Sequence, residues 1–199
     1  MNKKIVTLAI IAVTISAAII ACTGTTGNEK TTADTAAKDS AAIRIKHGEY
    51  LVSVIGCDDC HSPKKMGPNG PEVISELRLS GFPKEGKLPE TDTKSVQKGW
   101  ALFAPDLTAT VGQWGISYAA NITPDQTGLG NWKEENFLRA IREGKSKGLE
   151  GSRPLLPPMP WYNYKNMTDE DLKSIFAYLK TIKPVNNVVP APVAFANIK

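Results

Sequence analysis

The chain has 199 residues, 41% of them hydrophobic and 22% charged, with a formal net charge of +4. Two of those positive charges, Lys3 and Lys4, sit in an N-terminal leader, and the rest of the chain is too nearly neutral to imply nucleic acid or an anionic lipid surface as an electrostatic partner. The length beyond the leader suits one domain, and no internal repeat is visible.

The leader joins a basic start to an apolar run, Ile5 to Ile20. That run is too short and too early to favour a membrane span over a signal segment, so residues 1–21 are predicted to be a signal peptide. Ile19-Ile20-Ala21-Cys22 resembles a bacterial lipobox, in which cleavage leaves an acylated Cys22 at the new N-terminus. An uncleaved anchor helix is the alternative, and both export and tether the domain. Each buried acyl methylene adds about 0.8 kcal/mol, so two or three chains hold a protein on the membrane. The expected location is the periplasm or outer face, lipid-anchored, with the choice of membrane left open. Residues 22–42 are mostly Thr, Ala, Gly, Asp and Lys, with no large apolar side chain after Cys22, and they are predicted to form a flexible tether. The domain proper is then 43–199.

Ile43 to Ile55 is expected to be a helix, with Ile43, Tyr50, Leu51 and Val54 on its buried face. Gly48 inside it costs about 1 kcal/mol relative to Ala, which points to close approach by another element. Gly56 ends the helix, and Cys57-Asp58-Asp59-Cys60-His61 follows. This is C-x-x-C-H, the attachment sequence for a c-type haem. Two thiols at this spacing match the two vinyl groups of the macrocycle, and the adjacent imidazole reaches the iron as its proximal ligand. The alternatives are a zinc site, a thioredoxin-like redox pair or a plain disulfide. Zinc needs four ligands, and only Cys22 and His47 remain outside the pentad. A redox pair needs a following helix, but Pro63, Gly67, Pro68 and Gly70 come next. A disulfide leaves His61 without a role.

From about 62 to 118 the chain is rich in Gly, Pro and Lys, and is predicted to be a long, mostly irregular insertion with at most a short hairpin, its weak alternation falling near Leu77 to Phe82. Asn131 to Glu143 is expected to be a helix capped by Asn131 with Glu134 three residues on, burying Trp132, Phe137, Ala140 and Ile141 and stopping at Gly144. A Gly- and Pro-rich loop runs to Pro160. The last helix is expected from Thr168, paired with Asp171 as a capping box, to Lys180. Leu172, Ile175, Phe176 and Leu179 form its face. The tail after Pro184 is expected to be an extended strap.

Iron held by one His takes a second axial ligand or keeps an open site. Met66 lies only five residues past His61, a reach of at most roughly 18 Å. Met167 precedes the Thr168 cap and suits a hydrophobic staple on Leu172. His47 is expected to be a polar surface residue of the first helix. Met159, in Pro157-Pro158-Met159-Pro160, is presented from a loop stiffened by three prolines, and it is the expected sixth ligand, with a core Met filling a gap as the alternative. A thioether ligand favours Fe(II) and raises the potential. Trp161, Tyr162 and Tyr164 are candidates to line the Met loop, and Arg153 to pair with a haem propionate.

A helix, C-x-x-C-H, a later Pro-flanked Met and an amphipathic last helix together resemble the class I cytochrome c fold. In that family the first and last helices cross at a small residue, which implies that Gly48 meets the Phe176/Tyr178 region. The series Asn121-Ile122-Thr123-Pro124-Asp125, Thr127 to Trp132, Phe137 to Gly144, Pro158-Met159-Pro160 and Asp169 to Leu172 is similar to the cytochrome c subunits of membrane-bound bacterial alcohol, aldehyde and gluconate dehydrogenases. Those subunits often carry three haem domains, whereas this chain has a single C-x-x-C-H, and the insertion has no counterpart in the resemblance. The resemblance implies an all-α cytochrome c domain with one covalent haem c, no catalytic residues, and redox proteins as partners. These are a dehydrogenase or quinol-linked donor and an oxidase or another cytochrome as acceptor. The rival expectations are a haem peroxidase or reductase, or a haem-based sensor, each with an open or displaceable sixth position.

Overall fold

The computed structural model describes residues 28–198, with side chains from 37 onward. The leader, the lipobox with Cys22 and the first residues of the tether lie outside the described residues. Among the described residues no helix is long and apolar enough to cross a membrane. Lys38–Lys199 forms one compact unit.

Helix α1 runs Asn28–Val54. It therefore includes the later part of the stretch expected as an irregular tether. Residues 38–42 are exposed and bury nothing, as their composition requires, but Ala is the strongest helix former and the backbone follows it. The buried face of α1 also differs from expectation. Leu51 is buried as predicted, but Ile43 is 71% exposed and Tyr50 and Val54 are exposed, while Gly48 and Val52 are buried and Ile45 and Ile55 pack against the core. Positions 45, 48, 52 and 55 also follow the helical period, one stripe around from the predicted face.

Gly56, left-handed at φ 73°, turns the chain into the short helix α2, Cys57–His61. Between there and Tyr118 the chain is not all-α. Strands β1 (Lys64–Gly67) and β2 (Gly70–Val73) form one hairpin. A short helix, α3 (Thr93–Gln97), is capped by Asp92, whose carboxylate accepts from the Ser95 amide. Strands β3 (Leu102–Phe103), β4 (Ala109–Gly112) and β5 (Gly115–Tyr118) form a three-stranded antiparallel sheet in the order β3-β4-β5. The predicted irregular insertion thus carries two small sheets, while Leu77 to Phe82, where alternation was weakly legible, holds no strand. The sheet has its own core of Val96, Val111 and Ile116, covered by Val193, Phe195 and Ile198 of the C-terminal tail. Ile116 and Val193 exchange backbone hydrogen bonds. Strands of two to four residues are marginal alone, and here the tail supplies the missing neighbour.

Helix α4 (Glu134–Glu143) starts three residues later than predicted. Its N-cap is Lys133, whose amide donates to Asn136 Oδ1 at 3.0 Å. Gly144 ends it in the left-handed region, where a side chain would strike the Trp161 indole. Helix α5 (Trp161–Tyr164) follows the proline loop, and α6 (Asp169–Leu179) ends the helical set. Thr168 and Asp171 cap α6 reciprocally, as the sequence predicts. The main core joins Leu51 and Val52 of α1, Phe137 and Ile141 of α4, and Leu172, Ile175 and Leu179 of α6. The strap after Pro184 is pinned by two buried asparagines. Asn121 Nδ2 donates to the Val185 carbonyl at 2.8 Å, and Asn187 Nδ2 donates to the Ser80 carbonyl at 2.7 Å.

Candidate functional site

Helix α2 holds Cys57, Cys60 and His61 within one turn and a half, and three contacts fix it. Arg78 forks onto Asp58, with Nη2 to Oδ2 at 2.7 Å and Nε to Oδ1 at 3.0 Å, and its Nη1 donates to the Tyr178 hydroxyl at 2.8 Å. Ser62 Oγ donates to Asp58 Oδ1 at 2.6 Å and accepts from the Leu79 amide at 2.8 Å. The Lys64 ammonium lies among the carbonyls of Asp59, Ser62, Asp106 and Asp58 at 2.7–3.1 Å, so a cation sits at the C-terminal end of α2.

The two cysteines are free thiols. Burial, then Asp58, pushes the Cys57 thiol up to about 12, and burial raises Cys60 as well. Reactive or metal-binding cysteines are instead held as thiolates at neutral pH. Among the described residues no group of three or more His, Cys, Asp and Glu side chains could hold a metal ion.

His61 Nδ1 lies 2.7 Å from the carbonyl oxygen of Ala120. A carbonyl only accepts, so Nδ1 carries the proton and Nε2 keeps the lone pair. Burial lowers the imidazole pKa, which keeps the ring neutral, while the Ala120 carbonyl opposes that shift. The residues on either side of this contact are bonded to a neighbouring loop. Gly81 donates to the His61 carbonyl at 2.7 Å, and Phe82 donates to that of Ala119 at 3.0 Å.

Met159 packs against the main core together with Cys57. It lines an apolar cleft of about 240 Å³ with Leu155, Pro157, Pro158, Trp161 and Tyr162. Tyr164, at the end of α5, donates from its hydroxyl to the Ile55 carbonyl at 3.0 Å, two residues before Cys57. Burial raises the Tyr164 phenol pKa, and the nearby Cys57 and Cys60 add to it. The end of α5, which follows the Met loop, is therefore tied down beside the thiol pair. The other sixth-ligand candidates are placed elsewhere. Met66 is 75% exposed on its hairpin, Met167 packs with Leu172 in the core, and His47 Nε2 pairs with Asp171 at 2.7 Å. Arg153 donates to the adjacent Pro154 carbonyl and is exposed.

These residues fit a covalent haem: two neutral thiols on one short helix, an imidazole with its distal nitrogen free to ligate, and a thioether packed on the same core cluster. Sequence reasoning missed Ala120 and Arg78. The first contributes only a backbone carbonyl, which any residue has, and the second lies in the insertion, where no motif marks it.

The family model for cytochrome c matches residues 45–183. The fructose dehydrogenase cytochrome subunit of Gluconobacter japonicus is 32% identical over 151 residues, covering 74% of this chain and 23% of that protein. The gluconate 2-dehydrogenase cytochrome c subunit of Pantoea cypripedii is 32% identical over 154 residues, covering 77% of this chain and 25% of that protein. The cytochrome c subunit of the quinone-dependent alcohol dehydrogenase of Gluconobacter oxydans is 27% identical over 151 residues, which is 75% of this chain and 24% of that protein. The chain spans a quarter or less of the length of these relatives.

Proposed function

This chain belongs to the cytochrome c family, and we propose that it is a membrane-tethered carrier of single electrons, with one haem c joined to Cys57 and Cys60 and ligated by His61 and Met159. Haem c is the cofactor of this family, and a single C-x-x-C-H allows one. When bound, the haem supplies the reversible one-electron couple of its iron. The residues around it do the rest. Cys57 and Cys60 fix it to α2, and the Arg78–Asp58 fork and Lys64 hold α2 against the domain. His61 offers Nε2 because Nδ1 is committed to Ala120, and that hydrogen bond raises the ring's donor strength. Met159 offers a soft thioether from a loop with few backbone freedoms to lose, which favours the reduced state.

The observation that carries this reading is the position of Met159. It lines an apolar cleft on the proline loop, while Met66 is exposed, His47 is paired with Asp171, and Met167, although packed on the same core, sits directly before the Thr168 cap of α6. Were His61 and Met159 both to ligate the iron, the site would pass electrons and leave no place for peroxide or dioxygen. The donor is proposed to be a dehydrogenase or a quinol-linked complex, and the acceptor an oxidase or another cytochrome. Acylation of Cys22 is proposed to hold the domain at the outer face of a membrane.

The test uses protein matured in a host competent in cytochrome c assembly. The reduced wild type is expected to ignore carbon monoxide at neutral pH, and Met159→Ala to bind it readily. Ready binding by the wild type would replace this reading with that of a haem enzyme or sensor. For the tether, Cys22→Ser is expected to move the protein from the membrane fraction to the soluble one.

A further inference from the structure

The insertion between residues 62 and 118 anchors α2 through Lys64 and Arg78, and the end of its last strand also reaches both sides of the site. At its exit, Ala120 accepts from His61 Nδ1. Three residues earlier, Ser117 Oγ lies 2.6 Å from the Pro157 carbonyl, two residues before Met159. Ser117 is buried, and its hydroxyl has one proton to give. The other carbonyl within reach, Thr110, is at 3.3 Å, so Pro157 receives the proton. Trp114 Nε1 donates to the same Oγ at 3.3 Å, which orients the hydroxyl from behind.

The Met loop needs such a tie. Pro157, Pro158 and Pro160 have no N–H, so the loop cannot donate at those positions and can be held only through its carbonyls. Met159 and Trp161 donate to Leu156 and Met159, both local. Among the described residues, Ser117 is the only group from outside the loop and α5 that hydrogen-bonds to residues 156–160. We propose that Ser117 is a positioning residue for the distal ligand, and that β5 and the two residues after it therefore brace both iron ligands. The inference rests on Met159 being that ligand.

The test is displacement of the thioether from the ferric holoprotein by imidazole, alongside the near-infrared charge-transfer band of sulfur-ligated haem. Met159→Ala comes first and is expected to abolish the band. Ser117→Ala is expected to keep the band but raise imidazole affinity about three- to tenfold, the equivalent of one hydrogen bond. Ser117→Thr, which keeps the hydroxyl, is expected to return it to within about twofold of the wild type. A purely structural Ser117 would lower the unfolding midpoint and leave imidazole affinity unchanged. Should Ser117→Ala fail to mature, Trp114→Phe decides, with at least about a twofold rise expected. If Met159→Ala loses the band while Ser117→Ala, or Trp114→Phe in its place, shows wild-type affinity, the brace is wrong and the ligand assignment stands. If Met159→Ala keeps the band, both fall.

Discussion

Gly48 of α1 lies so close to Tyr178 of α6 that a Cβ at position 48 would come within 2.9 Å of the Tyr178 Cβ and would strike the Ser174 carbonyl. The two helices cross in backbone contact. Gly48→Ala gains about 1 kcal/mol of helix propensity. Overpacking costs about 1–3 kcal/mol, and here the upper end applies because a backbone carbonyl cannot rotate away. A net loss of about 2 kcal/mol is expected in urea unfolding of the holoprotein. The same crossing buries Ser174 Oγ without a hydrogen-bond partner. Ser174→Ala removes that orphan and improves helix propensity, so it is expected to stabilise by about 0.5–1 kcal/mol.

Arg78 connects the attachment helix to α6 through Asp58 and Tyr178. Both members of the Arg78–Asp58 pair are partly buried, so the pair is screened less than a surface bridge and more than a core one. Arg78→Ala strips Asp58 of its fork and leaves it with Ser62, for an expected loss of about 1–3 kcal/mol. Arg78→Lys keeps the charge but not the planar fork and is expected to recover less than half of that loss. Denaturant midpoints of the two variants measure the difference.

The site was legible where covalent chemistry constrains residue identity. Two thiols and an imidazole must stand at fixed spacing, and Cys57, Cys60 and His61 do. The α6 cap was legible for a similar reason, since Thr168 and Asp171 act locally. The buried face of α1 was not, because Ile43, Tyr50 and Val54 make an apolar stripe as regular as that of Ile45, Val52 and Ile55. Only the position of α6 decides between them, with Gly48 on the second stripe as the clue. The strands of the insertion were hidden because each is only two to four residues long, too short for an alternating pattern to show, and the sheet that β3, β4 and β5 form is completed by a remote segment. Ile116 is closed by Val193, some eighty residues on, and no local pattern announces that pairing.

The His47–Asp171 contact joins α1 to the first turn of α6. The His47 hydrogen bond, then that of Thr168, lowers the Asp171 pKa from its ordinary value. A depressed carboxylate stabilises the fold above its unfolded pKa of about 3.9, and that contribution is lost as pH falls through the lower folded value. Asp171→Asn keeps an oxygen to accept from Thr168 and loses the charge. It is expected to be less stable than the wild type by about 0.5–1 kcal/mol near pH 6–7, with added salt reducing the gap. The gap is expected to start closing below about pH 4 and to vanish only once the pH has fallen below the depressed folded pKa, where the wild type is protonated too. Parallel denaturation curves across that range check the sign, since a gap that widened in acid would contradict it.

Gly81 sits at φ 77°, and a Cβ there would approach the Ala120 carbonyl oxygen to 2.6 Å. That oxygen is the acceptor for His61 Nδ1. Gly81→Ala therefore strains the backbone by about 1–2 kcal/mol and pushes the acceptor off its line. A weaker hydrogen bond makes the imidazole a poorer donor, and the ferric state loses more than the ferrous one. With His61 as proximal ligand, the midpoint potential is expected to rise by about 20–60 mV, the upper figure corresponding to about tenfold in a one-electron equilibrium. Gly70→Ala is the control. Gly70 also has positive φ, at 122°, but a Cβ there meets nothing within 4 Å. It is expected to lose stability through strain alone and to leave the potential within about 10 mV of the wild type, a small fraction of a tenfold shift. Equal shifts in both variants would trace the effect to general loosening of the insertion and not to the carbonyl behind His61.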